Sequence, residues 1–186
     1  MNKMIKTLSM LLFASLLLVA CNKQPTIQEY YVQKQESNNF IAIDLPASLL
    51  KVGDEASQET KETMATIKKL NILAFKITEE NEAAYKAEAA QVKEILKGKK
   101  YNELMRMKHK NMNIIINYEG ADDAINEFVL FAADNEKGFA LARVLGNKMQ
   151  PEKIMKMAED FKNIDKEGAG DALGQITDLF GDIDMD

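Results

Sequence analysis

The sequence is short of the residues on which many enzymes and metalloproteins depend. It has one cysteine, one histidine and no tryptophan in 186 residues. Cys21 therefore has no partner for a disulfide within the chain, and His109 has no second histidine with which to share a metal ion. The motifs of nucleophilic hydrolases, zinc hydrolases, phosphate-binding loops and dinucleotide-binding folds are also missing. These absences favour a non-catalytic protein that needs no cofactor or metal.

The charge of the chain limits its partners, because 29 acidic residues stand against 24 basic ones. An acidic protein has no general attraction for nucleic acid, so we expect no nucleic-acid partner. Arg106 and Arg143 are the only arginines, which leaves little capacity for bidentate binding of phosphate or carboxylate.

The N-terminus carries the strongest signal in the sequence. Lys3 and Lys6 precede an uncharged, mostly apolar run over 8–20, which ends in Leu18-Val19-Ala20 directly before Cys21. A basic start, an apolar middle and small residues before a cysteine are typical of a bacterial lipoprotein signal. A plain secretory signal needs no cysteine there, and a transmembrane helix needs roughly 20 apolar residues. We expect Cys21 to carry lipid such as palmitate and to hold the protein on the inner or outer membrane, facing the periplasm.

Changes in polarity divide the chain into four predicted segments. These are a cleaved signal over 1–20, a flexible polar tether over 21–39, an α+β domain over 40–162 and an acidic, glycine-containing tail over 163–186. Tyr30-Tyr31-Val32 is the one apolar stretch of the tether. A folded role for Tyr30 and Tyr31, lying against the domain, is the alternative for that stretch.

The order of patterns in the domain predicts an α+β fold, because helical patterns come first and a run of strand patterns follows. Predicted helices span about 54–69 and 78–96 and begin again at Pro151; predicted strands span 70–77, 104–108, 112–118, 125–132 and 139–145. We expect an antiparallel sheet of about four to six strands with the helices packed on one face. In the 112–118 strand, apolar residues alternate with Asn113 and Asn117, as in a sheet with one face in solvent.

Several of these segments resemble one family of small Gram-negative lipoproteins, known as domain of unknown function 4252. The resemblance is carried by Tyr101-Asn102-Glu103-Leu104-Met105, the strand pairs after it, and Val144–Lys148 leading into Pro151–Ile154. It covers about 40–162 and implies an α+β domain facing the periplasm or the cell surface. It implies no activity, and no functional residue can be carried over from it.

Four features are candidate sites. A basic segment predicts either contact with anionic head groups or polysaccharide phosphate, or a solubilising strand edge; its members are Lys97, Lys99, Lys100, Arg106, Lys108 and Lys110. His109 is expected at a strand end or on the surface. The methionines of the strands and of the last helix are expected in the core.

The acidic tail is the fourth candidate. Leu173, Ile176, Leu179 and Phe180 recur there at helical spacing. Such a stripe is compatible with three alternatives: the tail docks in a groove of an envelope partner, it packs on the protein's own domain, or it has no fixed structure.

Two classes of function remain open. The first is a membrane-anchored, non-catalytic binding or interaction module of the cell envelope. One alternative is a hydrolase or transferase that acts on envelope glycan through carboxylates, and it requires a concave site with a raised carboxylate pKa. The other is a binder of a small lipid or peptide, and it requires an apolar cavity.

Overall fold

The strands form one antiparallel sheet of six members, and helices lie on both of its faces. The computed structural model describes residues 25–50 and 56–160. The helices are α1 (Ile27–Lys34), α2 (Gln58–Thr66), α3 (Glu82–Leu96) and α4 (Pro151–Asp160), with a 3-10 turn at Ala47–Leu49. The strands are β1 (Phe40–Pro46), β2 (Ile67–Lys76), β3 (Asn102–His109), β4 (Met112–Ala121), β5 (Ala124–Asp134) and β6 (Gly138–Met149). Their order across the sheet is β1-β2-β6-β5-β4-β3.

Short turns join β3 to β6 as a meander, which confirms the predicted run of strands. In the turn between β5 and β6, the Asp134 carboxylate accepts hydrogen bonds from the backbone N–H groups of Glu136 and Lys137 at 2.8 and 3.0 Å. Gly138 follows with φ +132°, and a Cβ there would lie 1.9 Å from the carbonyl oxygen of Phe75. Only glycine therefore allows β6 to leave this turn beside β2.

The α+β fold and the antiparallel sheet are confirmed, but the prediction that all helices pack on one face is wrong. Adjacent residues of β2 point to opposite sides of the sheet. Leu73 and Phe75 enter a core with α1 and α3, on the side we call face A. Leu70 and Ile72 enter a second core with α2 and α4, on face B. Helices are needed on both faces because the inner strands are apolar on both sides.

The tether prediction is wrong for residues 27–34, which form α1. Thr26 caps this helix through a capping box with Glu29. Ile27 and Tyr30 are fully buried in the face A core, and the Tyr30 hydroxyl donates to the Glu88 carboxylate at 2.8 Å. The alternative that Tyr30 and Tyr31 lie against the domain is confirmed. The folded domain thus includes residues that the sequence assigned to the tether.

The boundaries of two helices also differ from those predicted. α2 ends at Thr66 rather than near residue 69, because the chain enters β2 at Ile67 through a local irregularity in its pairing with β6. α3 begins at Glu82 rather than near Thr78, because the Asn81 side chain accepts the Thr78 N–H at 2.8 Å and closes a turn first. The predicted buried stripe of α3 is confirmed, since Tyr85, Ala89, Val92 and Leu96 all lie in the core.

The predicted signal (1–20), Cys21 and the predicted tail (163–186) lie outside the described residues. Within the described part of the chain, no helix has both the length and the apolar character that crossing a membrane would need.

Candidate functional site

A cleft of about 260 Å³ opens on face A at the β3 edge of the sheet. It lies between the last turns of α3 and the strands β3 and β4, and Tyr101 closes one side. Its lining residues are Lys93, Leu96, Lys97, Tyr101, Glu103, Arg106, Ile115 and Asn117. Leu96 and Ile115 are buried apolar residues. The cleft thus combines an apolar base with several charged side chains.

Three of the lining side chains are cations and one is a carboxylate. Arg106 holds Glu103 in a bidentate pair, with Nη2 to Oε2 at 2.6 Å and Nε to Oε1 at 3.2 Å. The hydrogen bond from Arg106 lowers the pKa of Glu103, and it outweighs the small loss of hydration. Glu103 is therefore ionised at neutral pH and balances Arg106. Lys97 pairs with Glu94 at 2.6 Å on the outer side of α3, which leaves Lys93 as the cation of the lining in excess.

Asn117 is the polar residue in the wall of this cleft that lacks a complete set of partners. Its side-chain Nδ2 donates to the Leu96 carbonyl oxygen at 3.3 Å, near the end of α3. This bond fixes the orientation of the amide, because Oδ1 in the same place would face another acceptor. Among the described residues Oδ1 has no hydrogen-bond partner, although Asn117 is only 2% exposed. A buried acceptor without a donor costs about 1–3 kcal/mol, so a donor group that reached Oδ1 would stabilise the protein.

The burial of Asn117 corrects the pattern expected of its strand. Alternation in β4 predicted Asn113 and Asn117 on a solvated face, but Ile115 and Asn117 lie beneath α3 on face A. Asn113 is half-buried. A polar residue in a strand does not identify the solvent side when a helix end offers it a hydrogen bond.

Beside the cleft, Tyr101 connects to a buried ion network centred on Glu127. The Glu127 carboxylate is 3% exposed and accepts from Arg143 Nε at 2.6 Å, from Lys100 Nζ at 3.0 Å and from the Tyr101 hydroxyl at 3.2 Å. Burial by itself raises the pKa of Glu127. The hydrogen bonds and charges of Arg143 and Lys100 lower it by more, so the net shift of the pKa is downward. Glu127 is therefore held as an anion inside the protein.

The other end of the network holds α1 on the sheet. Arg143 donates to the Gln28 side chain of α1 at 3.0 Å and lies 3.5 Å from the Asn71 side chain of β2. The Tyr101 hydroxyl accepts the backbone N–H of Ile27 at 3.2 Å. The arginine and carboxylate groups are already paired within the protein, so this network is suited to holding elements together rather than to chemistry on a substrate.

The predicted basic segment is divided between these two sites. Lys97 and Arg106 line the cleft, whereas Lys100 belongs to the network and its pKa is raised, because the carboxylate of Glu127 outweighs the effect of burial. Lys99, Lys108 and Lys110 line neither. Sequence reasoning missed Lys93, Asn117 and Glu127. Their own neighbours in the chain gave no signal, since helix packing and strand register bring them to these places.

His109 ends β3 on face B, opposite Met112, as its predicted strand-end position requires. Its Nε2 atom is buried, and no described polar group bonds to it.

Within residues 25–50 and 56–160, no three histidine, cysteine or carboxylate side chains are grouped as metal ligands would be. The methionine prediction is wrong for Met107, which is 43% exposed.

A family model described as a domain of unknown function (DUF4252) matches residues 30–157. The chain belongs to the DUF4252 family. The match begins within α1 and ends within α4, so it includes every strand of the sheet and both sides of the cleft. No curated protein and no solved structure matches the chain.

Proposed function

We propose that this DUF4252 protein is a non-catalytic binding module of the cell envelope, held on the membrane by lipid on Cys21. Its cleft binds a small anionic group that also carries a hydroxyl or amino donor. The observation that supports this proposal is the meeting of Lys93, Lys97 and Arg106 with the unpaired Asn117 acceptor around one cleft.

The two halves of the ligand follow from the two kinds of lining group. The lysines and Arg106 favour an anion such as a phosphate. The Asn117 oxygen accepts only, so the group bound beside it has to donate. A phosphate next to a hydroxyl, as in glycerol phosphate or a sugar phosphate, provides both. This chemistry occurs in lipid head groups and in envelope polymers, which matches the expected location.

The size and charge of the cleft favour binding over glycan hydrolysis. Ligand pockets for drug-sized molecules are about 300–1,000 Å³, so about 260 Å³ accommodates a head group rather than a glycan chain or an acyl chain. Glycosidases use a pair of carboxylates, one of them with a raised pKa. The one carboxylate in the lining of this cleft is Glu103, and its pKa is lowered.

Anchoring would make weak binding effective. Each buried methylene contributes about 0.8 kcal/mol, one acyl chain alone holds only marginally, and two or more give stable attachment. Confinement to a layer beside the membrane raises the effective concentration of a ligand there to the millimolar range. A small cleft with exposed cations can then be occupied without high intrinsic affinity.

Titration with glycerol 3-phosphate tests the cleft, using the full chain with Cys21→Ser and following NMR shifts or heat. We expect saturable binding that weakens at least about tenfold in Arg106→Gln, the loss of one charge-assisted contact. Lys86→Gln is the matched control, because Lys86 pairs with Glu82 at the other end of α3. Binding that is equal in wild type and Arg106→Gln, or that is absent at high millimolar ligand, would refute the cleft.

Further probes define the ligand. Inorganic phosphate should bind more weakly than glycerol 3-phosphate, because it leaves Asn117 with a poorer donor at neutral pH. Asn117→Asp should lose binding through charge repulsion. Comparison of phosphatidylglycerol vesicles with free glycerol 3-phosphate then separates a lipid head group from a soluble or polymer-bound phosphate.

Metabolic labelling with palmitate tests the anchor independently. The wild-type protein should be labelled and should sediment with membranes, whereas Cys21→Ser should be unlabelled and released. If Cys21→Ser sediments with membranes as the wild type does, the lipid anchor is wrong, and the cleft experiment is unaffected.

A further inference from the structure

Face B carries an apolar patch that the described elements cover only in part. We define the patch by six side chains that point to the same face of β3, β4, β5 and β6: Met105, Met107, Ile114, Leu130, Ala142 and Val144. Met107 is 43% exposed and Leu130 is 37% exposed, and the other four are half-buried. Ile116, paired with Leu130 on the same face, and Phe128, two residues along β5, are each 5% exposed. The open part of the patch is therefore the area around Met107 and Leu130.

The helices of face B explain only part of that surface. Ile154 and Met157 of α4 are buried in one cluster with Met64 of α2 and with Met149 at the end of β6. The cluster extends to Ile116 of β4 and Phe128 of β5, and Met105, Ile114, Ala142 and Val144 pack against it. Met107 and Leu130 are the patch members that remain exposed. Antiparallel sheets with a free face alternate apolar and polar residues, yet the patch continues across four strands without a polar side chain among its members. Its composition is that of a covered face.

We propose that residues 163–186 of this chain cover the patch, with Leu173, Ile176, Leu179 and Phe180 packed against it. These four positions recur at the spacing of one face of a helix. The chain leaves the described structure from α4, which lies on the same face of the sheet as the patch. The occupant is therefore already tethered beside its site.

The dimensions of the segment fit. Twelve residues, 161–172, separate α4 from Leu173, and an extended chain of that length reaches about 40 Å. The patch spans three strand spacings from β6 to β3, about 14 Å. The eleven residues 173–183 would measure about 16 Å as a helix. One short helix can therefore cross the patch from β6 to the edge strand.

Charge favours the same placement. Residues 1–162 carry 23 basic and 22 acidic side chains, whereas residues 163–186 carry one and seven. The excess negative charge of the protein is thus confined to the last segment. At the far edge of the sheet, Lys110 lies in the turn after β3, whereas Arg106 and Lys108 of β3 point to face A. An acidic segment that crosses face B would end beside Lys110.

Disulfide trapping in the full chain with Cys21→Ser tests the proposal. In the pair Met107→Cys with Phe180→Cys, we expect rapid formation of an intramolecular disulfide under mild oxidation. The matched control pairs Phe180→Cys with Val32→Cys, a position on α1 that is more exposed than Met107 (56% against 43%), and it should crosslink at least tenfold more slowly. Equal rates in the two pairs would overturn the proposal. Disulfide-linked dimers through Met107→Cys would assign the patch to a second copy instead.

A second measurement does not depend on new cysteines. Leu179→Asp with Phe180→Asp should raise the fluorescence of a dye that binds apolar surfaces several-fold and leave the far-UV spectrum of the sheet unchanged. Gly174→Asp with Gly181→Asp adds the same charge on the other side of the helical projection and should leave the dye signal low. A low signal for both double variants, with no crosslink, would show that the segment does not cover the patch.

Discussion

The two faces of the sheet are packed with different kinds of side chain. Face A is closed by α1 and α3, contains four of the five tyrosines and holds the ion network. Six aromatic rings form one connected cluster on it, namely Tyr30, Phe40, Phe75, Tyr85, Phe131 and Phe139. Face B is closed in part by α2 and α4, depends on methionine and aliphatic residues, and leaves Leu130 and Met107 exposed. Rigid rings and buried ions need one arrangement, whereas methionines adapt to several. We infer that face A fixes the fold and that face B is where the domain can accept another segment.

A rise to alkaline pH should give the largest difference between the two faces, because most tyrosines lie on face A. Burial raises the pKa of all four tyrosines on face A: Tyr30, Tyr31, Tyr85 and Tyr101. A raised pKa in the folded state contributes stability that is present below the unfolded pKa, about 10, and is lost as the pH rises above it. Each tyrosine that stays neutral in the fold costs about 1.4 kcal/mol of stability per pH unit above that value. Stability should therefore fall by several kcal/mol between pH 10 and about pH 11.5.

Absorbance at 295 nm together with far-UV circular dichroism measures this effect. Most tyrosinate signal should appear only with unfolding. Tyr118, on face B, should titrate before unfolding, although the hydrogen bond to Asp122 raises its pKa. The Tyr118→Phe variant should remove that early phase alone. If all five tyrosines titrate while the sheet is intact, the tight closure of face A is wrong.

Truncation of one core side chain on each face gives the next largest difference. Phe139 is fully buried and lies within 5.4–6.2 Å, centroid to centroid, of four other rings. Phe139→Ala should lower the free energy of unfolding by about 3–5 kcal/mol, through lost burial and the cavity that remains. Leu130→Ala should cost about 1 kcal/mol or less, since its side chain is already 37% exposed. Urea denaturation measures both, and equal losses would contradict the difference between the faces.

The ion network should give a somewhat smaller effect. Glu127→Gln removes the anion and leaves Arg143 buried without a counter-charge, so we expect a loss of about 3 kcal/mol at pH 7. Glu103→Gln removes an exposed ion pair of similar geometry and should cause no measurable loss. The pKa of Glu127 is lowered, so its contribution is present above the unfolded pKa and is lost as the pH falls through the folded value. The gap between wild type and Glu127→Gln should therefore narrow in acid, as urea midpoints against pH would show.

Local pattern predicted the part of the fold that depends on neighbours in the chain. The β3–β6 meander follows from alternation and from turns such as Asp134–Gly138, where side-chain and glycine geometry act over a few residues. The buried stripe of α3 follows from helical spacing in the same way. The family was also recognised from the sequence, because its motifs record these turns and strand ends.

The same reasoning missed α1 and Asn117, for two different reasons. α1 has eight residues and a polar surface, so only Ile27, Tyr30 and Tyr31 indicated a packed face within a segment otherwise typical of a tether. Asn117 looked solvent-facing because its partner, the Leu96 carbonyl oxygen, lies 21 positions away at a helix end. In both cases the missing information was what packs against the segment.

The sequence by itself determined the kinds and order of the elements from α2 to α4, the sites of the tight turns and the family, because these depend on interactions over a few neighbouring residues. It did not predict α1 or β1. Tertiary structure alone decided which strand faces are covered, how Gln28 and Arg143 meet across 115 positions, and where the cleft lies. Strand order and helix packing bring such groups together. The reason is physical: burial and charge pairing act through space, and one sequence pattern is compatible with several arrangements until the layers above and below it are in place.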